Sequence, residues 1–257
     1  MDIILICLAA FITSILTFFS GFGLGTILTP VFILFFPIDL AIALTGVVHF
    51  FNNIFKLFLV GKQANRKIVF RFGLPAILAA FAGAWVLINI TDLAPLYSYT
   101  IGANAFEITP IKLIISLMLI TFSLMDLIPF FDKIKFGERA LPLGGTLSGF
   151  FGGLSGHQGA LRSAFLIKAG LSKDAYIGTS VVIACFIDFT RLGVYSTRFG
   201  QSGLDENLIL VLSATLSAIA GAYLGNQLIK KVTLIFVQRL VAFTLILISL
   251  ALGIGLI

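Results

Sequence analysis

Gly152-Gly153-Leu154-Ser155-Gly156-His157-Gln158-Gly159 interrupts an apolar region running from Ala140 to Ala169, and Ser20-Gly21-Phe22-Gly23-Leu24-Gly25 interrupts another from Ile3 to Phe36. After each break comes a piece, Thr26 to Phe36 or Ala160 to Ala169, too short to cross a bilayer alone, because a spanning helix needs about 20 residues. Each piece then meets a turn, Pro37-Ile38-Asp39 or Leu171-Ser172-Lys173-Asp174, whose aspartate predicts an N-cap for the next helix. The two regions align at a constant offset: Gly25 with Gly159, Ala41 with Ala175, Thr45 with Thr179, and Val47-Val48 with Val181-Val182. After a small insertion around Gly200, Ala82-Gly83-Ala84-Trp85 aligns with Ala220-Gly221-Ala222-Tyr223. The chain therefore reads as an internal duplication, residues 1–129 and 130–257, within one integral-membrane domain.

Composition agrees. Of 257 residues, 59% are hydrophobic and 11% charged, where a soluble domain carries about 25% charged residues. The 27 Phe outnumber the 17 Lys and Arg, and the mean hydropathy is +1.13. A polar shell cannot be built from this, so the chain is expected to be a polytopic membrane protein. Further apolar runs of spanning length are Asp39 to Val60, Phe70 to Ile90, Ile111 to Pro129, Ala175 to Val194, Asn207 to Gln227 and Val232 to Leu256. The formal charge of +6 is scattered through short loops, which argues against nucleic-acid binding. Cys7 and Cys185 both sit in apolar runs and offer neither a disulfide framework nor a metal site. The acidic start Met1-Asp2 argues against a cleavable signal peptide.

A glycine-tipped hairpin plus three crossings per half would make each half change sides, giving inverted repeats. Lysine and arginine placement supports this arrangement. It puts Lys62, Arg66, Lys67, Arg71, Lys133, Lys135, Arg139, Lys168, Lys173, Lys230 and Lys231 on one side, against Lys112, Arg191 and Arg198 on the other. The rival, in which the first helix of each half crosses fully and the halves run parallel, splits the charges less well. The expected fold is thus an all-α polytopic membrane protein of two inverted-topology repeats. Both termini and the loop Thr91 to Pro110 would lie outside the cytoplasm.

Broken membrane helices leave backbone groups that must face protein or a water-filled cavity. Helices starting at Gly25 and Gly159 from opposite sides would aim free N–H groups at the midplane, an environment that favours an anion. Gly23, Gly25 and Thr26 from the first break, with His157, Gln158 and Gly159 from the second, are the expected lining. Arg162 follows the second tip by one turn, and its fork geometry suits an oxyanion. Asn52 is favoured over Asn53 to reach this site, being three residues from His49, while Lys56 is expected to snorkel to the cytoplasmic surface. Asp188 and Arg191 share a helix face and can pair; with His49 they are candidates for gating or ion coupling. Gly153-Leu154-Ser155-Gly156 fits the Gly-x-Ser-Gly pattern of rhomboid proteases, but no histidine follows His157, so an enzyme is not expected. No phosphate-binding Gly-x4-Gly-Lys-[Ser/Thr] occurs either.

The two glycine breaks, with Thr29-Pro30 and Ala41 to Thr45 in one half and Ser163-Ala164 and Ala175 to Thr179 in the other, resemble the TauE/SafE family of sulfite and organosulfonate exporters. The basic loop Gly61 to Arg71 adds to the likeness, which covers nearly the whole chain. It departs from the family's consecutive glycines through Phe22 and Leu24 in one break and His157-Gln158 in the other. The resemblance implies a secondary transporter in the bacterial plasma membrane that exports a small sulfur-containing anion such as sulfite or sulfoacetate by alternating access. A proton or sodium ion is the implied driving ion, with no other cofactor. An anion channel is the alternative. The expected partners are the small anion and membrane lipid, with a homodimer as the base-rate expectation for a small transporter.

Overall fold

The computed structural model describes residues 2–20, 23–128, 137–166, 169–198, 205–228 and 234–257. Gly21, Phe22, Pro129, Lys133, Lys135, Lys168, Gly200, Lys230, Lys231 and Val232, which entered the expectations above, lie outside the described residues. The first half forms α1 (Asp2–Ser20), α2 (Gly25–Ile33), α3 (Ile38–Val60), α4 (Arg66–Ile90) and α5 (Pro110–Leu127). The second forms α6 (Leu141–Ser155), α7 (Gly159–Leu166), α8 (Lys173–Tyr195), α9 (Leu208–Leu228) and α10 (Leu234–Gly253). The protein is a helical membrane protein: α3, α4, α8 and α9 are long and apolar enough to cross a bilayer, and α1, α5 and α10 carry shorter apolar stretches. Phe58, Phe70, Leu78, Phe189 and Ile209 point outward, whereas His49, Lys56, Arg162, Asp188 and Arg191 are buried. A soluble fold would reverse that distribution.

The expected caps need correction. Asp39 and Asp174 lie inside the first turns of α3 and α8, where they meet the positive end of the helix dipole. The N-cap positions belong to Pro37, which has no side chain to accept, and to Ser172, whose side chain accepts from Ala175 N at 3.3 Å. Asn65 caps α4 by accepting from Ile68 N, so this helix starts at Arg66 rather than Phe70 and carries the basic loop's charges on its first turns. Residues 91–110 are more than a loop. Tyr97–Ile101 (β1) pairs antiparallel with Asn104–Ile108 (β2), with Ile101 opposite Asn104 across a turn in which Gly102 takes φ +63°.

Helix pairing repeats on exchange of the halves. α4 packs on α6 as α1 packs on α9; α4 meets α8 as α3 meets α9; α3 faces α8 and α5 faces α10. The aligned glycines do equivalent work in these contacts. A Cβ on Gly83 of α4 would strike the Phe150 carbonyl of α6, and one on Gly221 of α9 would strike the Phe11 carbonyl of α1. On α6, Gly145, Gly149 and Gly153 lie against the backbone of Phe72, Ala76 and Ala80, the close approach that small residues four apart permit in membranes.

The two ends of the bundle differ in charge. At one, the start of α4 meets the regions before α6 and within α8: Lys67 and Arg71 pair with Glu138 at 3.2 and 3.0 Å, and Asn65 N donates to Thr179 Oγ1. At the other, Arg198 pairs with Asp92 at 2.6 Å, and the hairpin is tied to the end of α10 by Tyr99 Oη donating to the Ile254 carbonyl.

Candidate functional site

The two glycine breaks meet. Gly23 and Gly156 both take φ +81°, a conformation that only glycine adopts easily. A Cβ on Gly23 would lie 3.3 Å from His49 Nε2 and 4.0 Å from Gly159 Cα; one on Gly25 would lie 3.1 Å from the Gly156 carbonyl. Gly23, Gly25, Gly156 and Gly159 are thereby brought together, and buried His157 lies beside the backbone of Thr26, itself buried in the first turn of α2. His157 Nδ1 sits 3.0 Å from Ser155 Oγ, and the Ser155 hydroxyl donates to the Phe151 carbonyl of its own helix at 3.1 Å. The Ser148 hydroxyl, two turns before Ser155 in α6, donates to the Gln158 carbonyl at 3.0 Å and holds the tip.

Behind the tips, Asp188 is fully buried and takes partners from both halves. His49 Nδ1 lies 2.7 Å from its Oδ2, to which Asn53 Nδ2 donates at 3.0 Å. Its Oδ1 accepts from Gln158 Nε2 at 3.1 Å and from Arg191 Nε at 3.0 Å. Arg191 was assigned above to the far side of the membrane; it is instead fully buried in α8, its guanidinium against Gly46 and Gly156. The pairing with Asp188 follows from the three-residue spacing, but its inclusion in a cluster joining the halves does not. The Gln158 amide extends the cluster, since its Oε1 accepts from Arg162 Nη1 at 3.0 Å.

Arg162 also lines a small, partly open cavity with Gly23, Asn53, Lys56, Thr17, Phe18, Tyr176, Ile177, Ser180 and Val181. None of these lining side chains is a carboxylate. Its walls come from the C-terminal half of α3 and the N-terminal half of α8, so it lies between the Asp188 cluster and the end bearing Lys67, Arg71 and Glu138. Two of its residues correct the sequence-based expectations. Lys56 does not snorkel: it is 5% exposed, with Nζ 5.4 Å from the centre of the Phe18 ring. Asn53 rather than Asn52 joins the cavity, while Asn52 faces Ser14 of α1 at 3.3 Å. On the opposite side of the cluster, Asp39, Ala43, Leu87, Ile88, Thr91, Tyr195 and Arg198 line a second small, partly open cavity. The Tyr195 hydroxyl there donates to the Gly153 carbonyl. Tyr176, Ser180 and Tyr195 were not anticipated, since a lone hydroxyl in an apolar helix carries no signal of which way it faces.

Comparison with known families decides the assignment. The model of the sulfite exporter TauE/SafE family matches residues 6–252, nearly the whole chain. The chain belongs to the TauE/SafE family. No curated protein and no solved structure matches it. Membership makes the chain a multi-pass membrane transporter of the sulfite-exporter type, as the sequence motifs implied, and places it in a family of transporters rather than enzymes.

Proposed function

We propose that this TauE/SafE protein exports a small sulfur-containing anion, sulfite or an organosulfonate such as sulfoacetate, across the bacterial plasma membrane by alternating access. The observation that carries this is the cavity where Arg162 meets the first glycine break, with no carboxylate in its lining. The anion sits against Arg162, the broken backbone at Gly23 and the Asn53 amide. Gln158 orients the guanidinium, and His157, Gly25, Thr26 and Gly159 shape the tips around it. The Asp188 cluster joins the halves, so rocking of one half on the other would rework its bonds; His49, Asp188 and Arg191 are the groups through which gating or coupling to a proton or sodium ion would act.

The repeated helix pairings support two related halves, and the basic end around Lys67 and Arg71 supports an inverted arrangement with that end in the cytoplasm and both termini outside. In that orientation the cavity at Arg162 faces the cytoplasm, the Tyr195 to Gly153 bond closes the outer side, and the conformation is ready to load an exported anion. The test is a thermal-shift and binding screen of sulfite, thiosulfate, sulfoacetate, taurine and simple carboxylates on purified wild type and Arg162→Ala. At least one sulfur anion should stabilise the wild type by mass action, and Arg162→Ala should lose that response. If no anion stabilises the wild type, or Arg162→Ala responds identically, the site is wrong.

A further inference from the structure

We infer that the groove at the base of the β1–β2 hairpin binds a phospholipid whose zwitterionic headgroup carries a primary ammonium, a phosphatidylethanolamine, through Asp39 and Lys112. The groove lies where helices leave the bilayer. It is lined by residues just after α2, from the first turns of α3 and α5, and from the last turn of α10 and the chain beyond it. Phe35, Phe36, Ile111 and Leu252 supply apolar walls, and Asp39, Thr91, Thr109 and Lys112 supply polar ones. Apolar surface beside charge, at the level of the membrane boundary, is the environment of a lipid headgroup and the start of its chains.

The polar walls select the headgroup. Asp39 is half-buried, and its carboxylate takes no hydrogen bond or ion pair from the described residues. Arg198 lies within range of its charge but is tied to Asp92 at 2.6 Å. Lys112 Nζ donates to the Glu107 carbonyl at 3.2 Å, a neutral acceptor, and meets no carboxylate among the described residues. A carboxylate and an ammonium thus line one groove without pairing with each other. A molecule with both charges on one short arm can bridge them, its ammonium at Asp39 and its phosphate at Lys112. The two threonines suit the same orientation. The Thr109 hydroxyl oxygen accepts from Lys112 N and keeps its proton for a phosphate oxygen, whereas the Thr91 hydroxyl donates to the Leu87 carbonyl and keeps a lone pair for the ammonium. Phosphatidylglycerol offers no cation to Asp39, and the trimethylammonium of phosphatidylcholine has no N–H to donate. The bound lipid would join the segment after α2, behind the first glycine break, to α10 of the second half, next to the cavity that Asp39 and Thr91 share with Tyr195.

The experiment is native mass spectrometry and thermal unfolding of the delipidated full chain in detergent micelles, with phosphatidylethanolamine, phosphatidylcholine or phosphatidylglycerol of identical chains added at equal mole fraction. The proteins are wild type, Asp39→Asn, Lys112→Gln and, as a control at the opposite end of the bundle, Lys67→Gln. The wild type is expected to retain phosphatidylethanolamine at least about threefold over each of the others, with the larger rise in melting temperature that preferential binding gives. Asp39→Asn should bring the ratio over phosphatidylglycerol towards unity, Lys112→Gln should weaken retention of all three through their common phosphate, and Lys67→Gln should keep the preference. Glycerophosphoethanolamine, the headgroup without chains, should not stabilise. Equal retention of the three lipids by the wild type, an Asp39→Asn variant with its preference intact, or a chain-free headgroup as effective as the lipid overturns the proposal, and the wild-type series decides even if a variant does not fold. Anion titrations at Arg162 are a separate readout, so either proposal can fail while the other stands.

Discussion

Asp188→Asn is expected to be the most damaging single substitution outside the cavity. The carboxylate is fully buried; His49 Nδ1 lies 2.7 Å from it, Arg191 Nε donates to it at 3.0 Å, and Arg191 Nη2 lies at the same ion-pair distance without a hydrogen bond. Arg191 is equally buried, so neutralising Asp188 leaves a guanidinium uncompensated in the bundle interior. Stranding one member of a buried pair destabilises by about 3–5 kcal/mol, whereas removing both charges is often nearly neutral. Arg191→Met alone should harm less, because Asp188 keeps donors from His49, Asn53 and Gln158. The Asp188→Asn/Arg191→Met double variant should then be less unstable than the sum of the singles by at least about 1 kcal/mol, the coupling expected of contacting residues. The assay is equilibrium unfolding in mixed micelles followed by far-UV circular dichroism, with all four proteins in one detergent. Additivity within about 0.5 kcal/mol would show that the two charges are not an energetic unit and would remove the basis for treating the cluster as a joint between halves.

The matched glycines give a second test: Gly83→Ala and Gly221→Ala each drive a methyl into a facing carbonyl. Both should lower the melting temperature, with losses of about 1–3 kcal/mol from overpacking; a harmless Gly221→Ala beside a harmful Gly83→Ala would break the equivalence of the two packings. Gln158→Glu should weaken sulfur-anion binding by on the order of tenfold or more, because it sets one carboxylate between Arg162, which it would neutralise, and Asp188, which it would repel; titration with sulfite reads this directly. At the bundle end, the Arg198 side chain donating to Asp92 holds that carboxyl below the usual range. Any stability from this exposed pair is therefore present above the unfolded-state pKa of Asp92 and fades as pH falls through its lower folded value. The melting-temperature gap between wild type and Asp92→Asn should shrink on acidification and on adding about 1 M salt.

Much of the helical plan could be read from the sequence because membranes leave few choices: apolar length marks crossings, and clustered glycines mark breaks. The α3 and α8 helices fall within about two residues of expectation, and the tips meet as the duplication implied. What escaped was rotation. Asn52 and Asn53 are adjacent, and spacing from His49 cannot tell which turns inward when the ring itself leans toward Asp188 across the helix interface. Lys56 misled for a related reason. Counted from Val60 it is one turn from the helix end and free to snorkel, but the end of α1 packs over it and places Phe18 at its ammonium. The hairpin at Tyr97 to Ile108 was hidden because its alternation is weak and its residues are mostly exposed.

Gln158 explains how a carboxylate and the proposed anion site can coexist so close together. Asp188 would repel an arriving oxyanion if its charge reached the cavity, yet both of its oxygens are turned toward donors: Asn53 and His49 at one, Gln158 and Arg191 at the other. Between the two systems stands a single amide, donating through Nε2 to Asp188 and accepting through Oε1 from Arg162. An amide can do both at once. A carboxylate could not donate to Asp188, and an ammonium could not accept from Arg162. The polarity of Gln158 therefore fixes the guanidinium without neutralising it, leaving Arg162 charged on the cavity side and tied mechanically to the cluster on the other. Occupation of the cavity would pull on Arg162, and through one amide the pull reaches the carboxylate that both halves share. That chain of bonds gives a physical route by which binding an anion could bias the relation between the halves.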